Sequence, residues 1–250
     1  MTIRVHVHGA KGKMGSAASA AIEAAEDLSL CGQSGRTDDF KRALERSRPE
    51  VVVEFTVPDA AESNLRTILN YGAHAVSGTT GVSSSVASEL GALADSCGLG
   101  CLLAPNFCLG VILMQRFSKT AARWFDDVEI VEMHHEHKLD APSGTSLHTA
   151  RLIAQAAGRP LNRGRPREHQ PLAGARGARC GDISIHSLRL PGLIAHQEVL
   201  FGATGQRLSI RHDCVDRLAF MPGILLAIRR IADFRGLVDS LDHLLDDPQL

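Results

Sequence analysis

Two hydrophobic textures divide the chain. From Ile3 to Phe107, short apolar or β-branched runs (Ile3 to Val7, VVVEFTV, HAV, GLGCLL) are separated by segments in which apolar residues recur every three or four positions. Such runs predict buried strands, and the longer period predicts helices. The first strand stops at Gly9, a helix covers Met14 to Ala25, and Leu28 to Cys31 closes a βαβ unit. Next, ALERSRPE leads into VVVEFTV, and Pro58 opens the helix DAAESNLRTILNYG, which ends on Gly72. HAVSGTTG and GLGCLLAPNF read as strands entering loops, on either side of the serine-capped helix SSSVASELGALADSCG. This alternation predicts a parallel sheet covered on both faces, with ligands at the C-terminal ends of its strands.

After Phe107 the pattern changes. A helix from about Leu109 to Phe125 leads into the alternating strand VEIVEMHH and then a helix from about Ser143 to Ala157. RPLNRGRPREHQPLAGARGARCG has no apolar period and reads as a long mobile loop. DISIHSLRL, AHQEVLFGA and QRLSIRHDC alternate with period two, which predicts a sheet covered on one face. A helix from Pro222 to Ile231 and a short helical tail follow.

Composition narrows the function. With 250 residues and 44% hydrophobic content the chain can bury a full core. A formal charge of −1 supplies no basic field for nucleic acid, and one Trp and one Tyr make no base-stacking surface. Six scattered cysteines without a CxxC pair read as reduced thiols rather than a zinc cluster. The opening MTIRVHVHGAKGKMG lacks a signal-peptide core, and no stretch approaches the roughly 20 apolar residues of a membrane span, so a cytoplasmic protein is expected.

Gly9, Gly12 and Gly15 of GAKGKMG stand at the first strand-to-helix turn, where glycine lets backbone approach a pyrophosphate and helix amides point at it. The spacing is GxxGxxG, so the argument rests on position within a βαβ unit; Lys11 and Lys13 add positive charge. After the second strand, QSGRTDDF puts Gly35 where a ribose-binding acid usually stands and leaves Arg36 for a 2′-phosphate. That tilts the cofactor mildly from NADH toward NADPH, although Asp38 or Asp39 could still reach a ribose. The loops GTTG (Gly78 to Gly81) and APNF (Ala104 to Phe107) end strands of the same sheet, and their small residues would admit a flat nicotinamide.

EMHHEHKLDAPSGTSL, residues 132–147, gathers the remaining chemistry. On a strand His135 and His137 would share a face and could share a metal, but Lys138 is no ligand when charged and no Cys lies nearby, so no metal is expected. A histidine and a lysine can instead protonate or polarise a reacting atom. Pro142 and Gly144 then force a turn, and a helix beginning at Ser143 or Thr145 offers amides to a carboxylate. Asp140 is free to cap that helix or pair with Lys138. Fully extended, His134 to Lys138 would span roughly 13 Å, so the strand must end or bend near His135.

EMHHEHKLDAPSGT resembles the signature of the 4-hydroxy-tetrahydrodipicolinate reductase (dihydrodipicolinate reductase) family, and GAKGKMG, EFTVP, GTTG, APNF, GDISIHSLR and RLAFMPGI agree with it in order and spacing. The resemblance implies NAD(P)H-dependent reduction of a cyclic hydroxy dicarboxylate to tetrahydrodipicolinate, with loss of water, on the diaminopimelate route to lysine. It implies that His134 donates and accepts protons, that Lys138 donates one, and that His135, Gly144 and Thr145 hold substrate. Cofactor contacts are implied for Gly9, Ala10, Lys11, Gly12, Lys13, Met14, Arg36, Gly78, Thr79, Thr80, Ala104, Pro105, Asn106 and Phe107. His137 and the Arg-rich stretch from Arg163 to Arg179 receive no role. The implied fold class is α/β: a Rossmann-type nucleotide domain over 1–107 and about 218–250, and a smaller α+β domain with a mixed sheet over about 108–217 that binds substrate and builds a homotetramer. The competing readings are another Rossmann-type oxidoreductase acting on an amino or keto acid, and a non-catalytic nucleotide-responsive protein.

Overall fold

The structure is a computed structural model that describes residues 2–79, 81–163 and 169–245. In chain order its elements are β1 (Ile3–His8), α1 (Lys13–Glu23), β2 (Leu28–Ser34), α2 (Phe40–Ser47), β3 (Val51–Glu54), α3 (Pro58–Tyr71), β4 (His74–Ser77), α4 (Ser84–Ser96), β5 (Gly100–Leu103) and α5 (Leu109–Ala121). Then come β6 (Asp127–His134), α6 (Gly144–Ala157), β7 (Ala178–Cys180), β8 (Ile183–Arg189), β9 (Ala195–Ala203), β10 (Gln206–Cys214), α7 (Met221–Arg230) and β11 (Gly236–Val238). Two compact units result: Met1–Leu109 with Arg217–Leu250, and Gly110–Asp216.

The first unit holds a six-stranded sheet in the order β11-β5-β4-β3-β1-β2, every pair parallel. Val51, Val52 and Val53 are all buried, which is why β3 reads as an unbroken apolar run rather than an alternating one. Strand order reverses between β1 and β3, the position where open α/β sheets leave a crevice for a ligand. The tail is helical at Leu241–Leu244, but residues 236–238 before it form β11 against β5, which the sequence reading did not include. Three residues carry no detectable period; the open edge of β5 specifies the pairing, and Gly91 of α4 leaves room for Leu237.

The second unit is a five-stranded mixed sheet, β10-β9-β6-β8-β7. β6 and β8 run parallel, α6 lies between them in the chain, and the other pairs are antiparallel. One face buries Val128, Ile130, Ile183, Ile185, Val199 and Phe201. The opposite face carries Val131 and Met133 among polar pairs such as Glu129 with His186 and Asp213 with His196, in contact at 2.8 and 2.7 Å. The Arg-rich stretch is not wholly a loop: β7 pairs with β8, and the Arg176 guanidinium reaches Glu129. Residues 164–168 of it lie outside the described residues. Among the described residues no helix is long and apolar enough to cross a membrane.

Candidate active site

In the first unit the chain turns sharply between β1 and α1. Gly9 adopts φ +83°, and a Cβ there would lie 2.2 Å from the Phe55 carbonyl oxygen; a Cβ on Gly15 would lie 2.2 Å from the Gly9 oxygen. These contacts let β3 and α1 close on the turn, a cradle that any side chain would fill. Gly9 and Ala10 donate to the Ser34 carbonyl at 2.8 and 3.2 Å, which locks the loop onto the end of β2. Helix α1 has Gly12 as its N-cap and no side-chain cap. Its first amide to bond back is Ser16 N–H, to Gly12 O at 2.9 Å. The amides of Lys13 and Met14 are thereby left for an anion, with Lys11 and Lys13 exposed beside them. Backbone and charge fit a dinucleotide pyrophosphate.

The other residues expected to meet a cofactor stand along the same sheet edge, Arg36 after β2, Gly78 and Thr79 after β4, and Ala104 to Phe107 after β5. Thr80 lies outside the described residues. A Cβ on Gly78 would lie 2.4 Å from the Phe55 ring and 2.9 Å from the Phe107 ring, so this glycine keeps a flat floor. Asn106 Oδ1 accepts from Cys108 N–H at 2.8 Å, which turns the APNF loop. Both acids after β2 have structural work: Asp38 accepts from Gly35 N–H at 2.8 Å, and Asp39 caps α2 by accepting from Arg42 N–H at 3.1 Å. Arg36 is exposed, and among the described residues no hydrogen bond or ion pair to it is found.

Sequence reasoning passed over Glu54. At the end of β3 its fully buried carboxylate accepts from Ser77 Oγ at 2.6 Å, Thr79 Oγ1 at 2.8 Å and Thr56 N–H at 3.1 Å. The Thr79 hydroxyl therefore anchors its own loop.

In the second unit, β6 ends at His134 and a turn follows, closed by Lys138 N–H to His135 O at 3.1 Å. The end of the strand at His134 spares the site the extended span and separates the three histidines. His134 Nδ1 lies 2.5 Å from Glu132 Oε2, its side chain 14% exposed. The His135 and His137 rings are 6.2 Å apart, and His137, 85% exposed, meets Glu136 at 3.4 Å. Among the described residues no three His, Cys, Asp or Glu side chains gather as a metal-ligand set. Lys138 Nζ donates to Asp140 Oδ1 at 2.7 Å, so Asp140 is the lysine's partner and not the helix cap.

The cap of α6 is Ser143, whose Oγ accepts from Ser146 N–H at 3.1 Å, while Leu147 N–H bonds to Ser143 O at 3.0 Å. Gly144 and Thr145, the first two residues of the helix, keep free amides that suit one carboxylate. Beneath them is a second overlooked carboxylate. Glu132 is 0% exposed and accepts from Arg189 Nη1 and Nη2, both at 2.9 Å, and from Ser143 N–H at 3.2 Å. Burial alone would push its carboxyl up, but hydrogen bonds from His134, Arg189 and Ser187 bring it down to about 2. The signal was present in the strand parity: Val128, Ile130, Glu132 and His134 share a face, as do Ile183, Ile185, Ser187 and Arg189.

Comparison with known proteins agrees in both units. Residues 3–107 match the family described as "Dihydrodipicolinate reductase, N-terminus" and residues 110–245 its C-terminus. The chain is 48% identical to a 4-hydroxy-tetrahydrodipicolinate reductase of Nocardia farcinica, over 98% of this chain and 100% of that protein. It is 47% identical to the protein of that name from Streptomyces coelicolor, over 98% of each. Among solved structures, the dipicolinate-bound dihydrodipicolinate reductase of Paenisporosarcina sp. TG-14 superposes with a TM-score of 0.91 at 36% identity, covering 98% of this chain and 100% of that one.

Proposed function

The chain belongs to the dihydrodipicolinate reductase family, and on that premise we propose how its residues divide the work. The protein is an NAD(P)H-dependent oxidoreductase that reduces 4-hydroxy-tetrahydrodipicolinate to tetrahydrodipicolinate with release of water, a step in lysine and diaminopimelate biosynthesis. In the balanced reaction a hydride and a proton enter and one water leaves. When bound, the nicotinamide supplies the hydride; proton handling and orientation belong to the protein.

The observation that carries the assignment is the arrangement at the end of β6, where an imidazole, an ammonium and a two-amide helix start fall within twelve residues, 134–145. The Gly144 and Thr145 amides hold a substrate carboxylate, and His135 contributes to the same anion site. His134 moves protons to and from the ring, and Lys138, held by Asp140, donates one. On the first unit, the Gly9 to Met14 loop holds the pyrophosphate, and Gly78, Thr79, Thr80 and Ala104 to Phe107 hold the nicotinamide end. With Gly35 lacking a side chain and Asp38 and Asp39 engaged elsewhere, Arg36 favours the 2′-phosphate of NADPH over NADH. The first unit is the nucleotide domain and the second the substrate domain. The second face of the latter's sheet, with Val131 and Met133 among charges, is the surface through which we assemble a homotetramer. We place the activity in the cytoplasm, with its biosynthetic route.

Oxidation of NADPH with freshly made substrate tests the assignment. His134→Gln and Lys138→Ala are each expected to lower turnover by at least ~100-fold while the nucleotide still binds. Wild-type rates in either variant sink it.

A further inference from the structure

We infer that Glu132 and Arg189 are positioning residues: together they fix which nitrogen of His134 faces the reaction and couple that imidazole to the start of α6. The inference rests on the reading of His134 given above and adds the device that makes it effective.

The Glu132 carboxylate is buried and fully engaged. Its Oε2 meets His134 Nδ1 at 2.5 Å and Arg189 Nη1 at 2.9 Å, and its Oε1 meets Arg189 Nη2 at 2.9 Å and Ser143 N–H at 3.2 Å. Every one of these neighbours can donate, so the carboxylate acts as acceptor toward all of them. Its low pKa, about 2, keeps it ionised across the working range. An ionised carboxylate cannot donate, hence Nδ1 of His134 carries the hydrogen and Nε2 is the nitrogen left to take up and release the reacting proton.

Arg189 does two further things. Its guanidinium offsets the Glu132 charge, so that the Gly144 and Thr145 amides are not backed by a bare anion when a dicarboxylate approaches. Its Nη2 also donates to the Asp140 carbonyl oxygen at 2.7 Å, which ties down the residue that holds Lys138. One carboxylate thus touches the imidazole and the helix cap, and its arginine touches the segment bearing the lysine. Motion of the receptor relative to the acid is resisted at three points on β6, β8 and the 140–143 turn.

Nitrogen-15 spectra of the histidine-labelled protein test this directly, with the His134 signals identified by their loss in His134→Gln. We expect the Nδ1–H tautomer in the wild type and a mixture in Glu132→Gln. In that variant kcat should fall ~10- to 100-fold with KM for the dicarboxylate within ~3-fold and NADPH affinity unchanged. A wild-type Nε2–H tautomer, or a Glu132→Gln enzyme within ~2-fold of wild-type kcat, overturns the inference. A rise in KM alone, with the tautomer intact, also overturns it, since it shows a merely structural role. If Glu132→Gln does not fold, the wild-type spectrum decides. Full turnover by His134→Gln would sink the reading of His134 itself, whereas an inactive His134→Gln beside a fully active Glu132→Gln removes only the positioning role.

Discussion

The two helix starts to which the proposed function assigns anions are made differently. At α1 the receptor is backbone alone: Gly12 has no side chain to cap with, and the preceding Gly9 turn is held by the Ser34 carbonyl and by contact with Phe55. At α6 a side chain takes part. Ser143 occupies the Ser146 amide, and Glu132 holds Ser143 from below. The uncapped start leaves the amides of Lys13 and Met14 without a side-chain cap, which suits the proposed pyrophosphate site. The capped start leaves two amides, a fit for one carboxylate, and is linked through Glu132 to His134. Width at one site and registration at the other follow from whether the cap has a side chain.

The most disruptive way to break the contrast is Gly9→Ala. The positive φ and the 2.2 Å approach to the Phe55 oxygen leave no place for a methyl group. Nicotinamide-nucleotide affinity, followed by fluorescence, should fall at least ~100-fold while affinity for a cyclic dicarboxylate is retained; affinity within ~3-fold of wild type would show that the turn is not what holds the nucleotide. A finer probe is Gly144→Pro. Ser143 at φ −64°, ψ 148° already has the conformation required before proline, and proline fits the first helical position, so the substitution deletes one amide and preserves the helix. Dicarboxylate affinity should drop ~10-fold with NADPH binding unchanged. An unaltered affinity by calorimetry removes Gly144 from the receptor.

Acid separates the two regions by pH. Burial, and then the neighbouring His8, lower the His6 pKa from 6.5 to about 4, so the folded state favours the neutral ring, and stability is lost as pH falls from 6.5 toward 4. Glu132, lowered from 4.5 to about 2, contributes fully above 4.5 and loses its contribution as pH falls toward 2. Thermal melts across pH should therefore flatten in the upper window for His6→Gln and in the lower window for Glu132→Gln; a swap of the two windows contradicts both origins. The smallest effect is expected from Ser143→Ala, about 1 kcal/mol of stability by denaturant titration. A loss below about 0.3 kcal/mol would mean that the Ser143 hydroxyl is not an effective cap.

Much of this was readable before any coordinates. Val51, Val52 and Val53 announce a strand buried on both sides, and AHQEVLFGA and QRLSIRHDC match β9 and β10 residue for residue. In β9 one-sided burial of Gln197, Val199 and Phe201 stamps period two on the sequence, whereas the alternation in β10 leaves residues 206–213 exposed or half-buried. His134, Lys138, Gly144 and Thr145 stand out as candidates because they lie in one run. Glu132 and Arg189 were not paired in that reading, since 57 positions separate them and only the β6–β8 register sets them together. Glu54 was hidden in the same way, its donors Ser77 and Thr79 arriving from the next strand and loop. β11 escaped because three residues cannot display a period, and the partner that defines it lies more than a hundred positions earlier.

Gly35 has a consequence for how such an enzyme changes over generations. It sits at the end of β2 where, among the described residues, only Asp38 Oδ2, 3.8 Å away, lies near the position of a would-be Cβ, and no hydrogen bond or ion pair of Arg36 holds the fold. Side chains at these two positions can drift with little harm to folding. If Arg36 sets the cofactor preference as proposed, a lineage could change reductant pool through one or two substitutions there without touching the residues proposed to handle protons in the other unit.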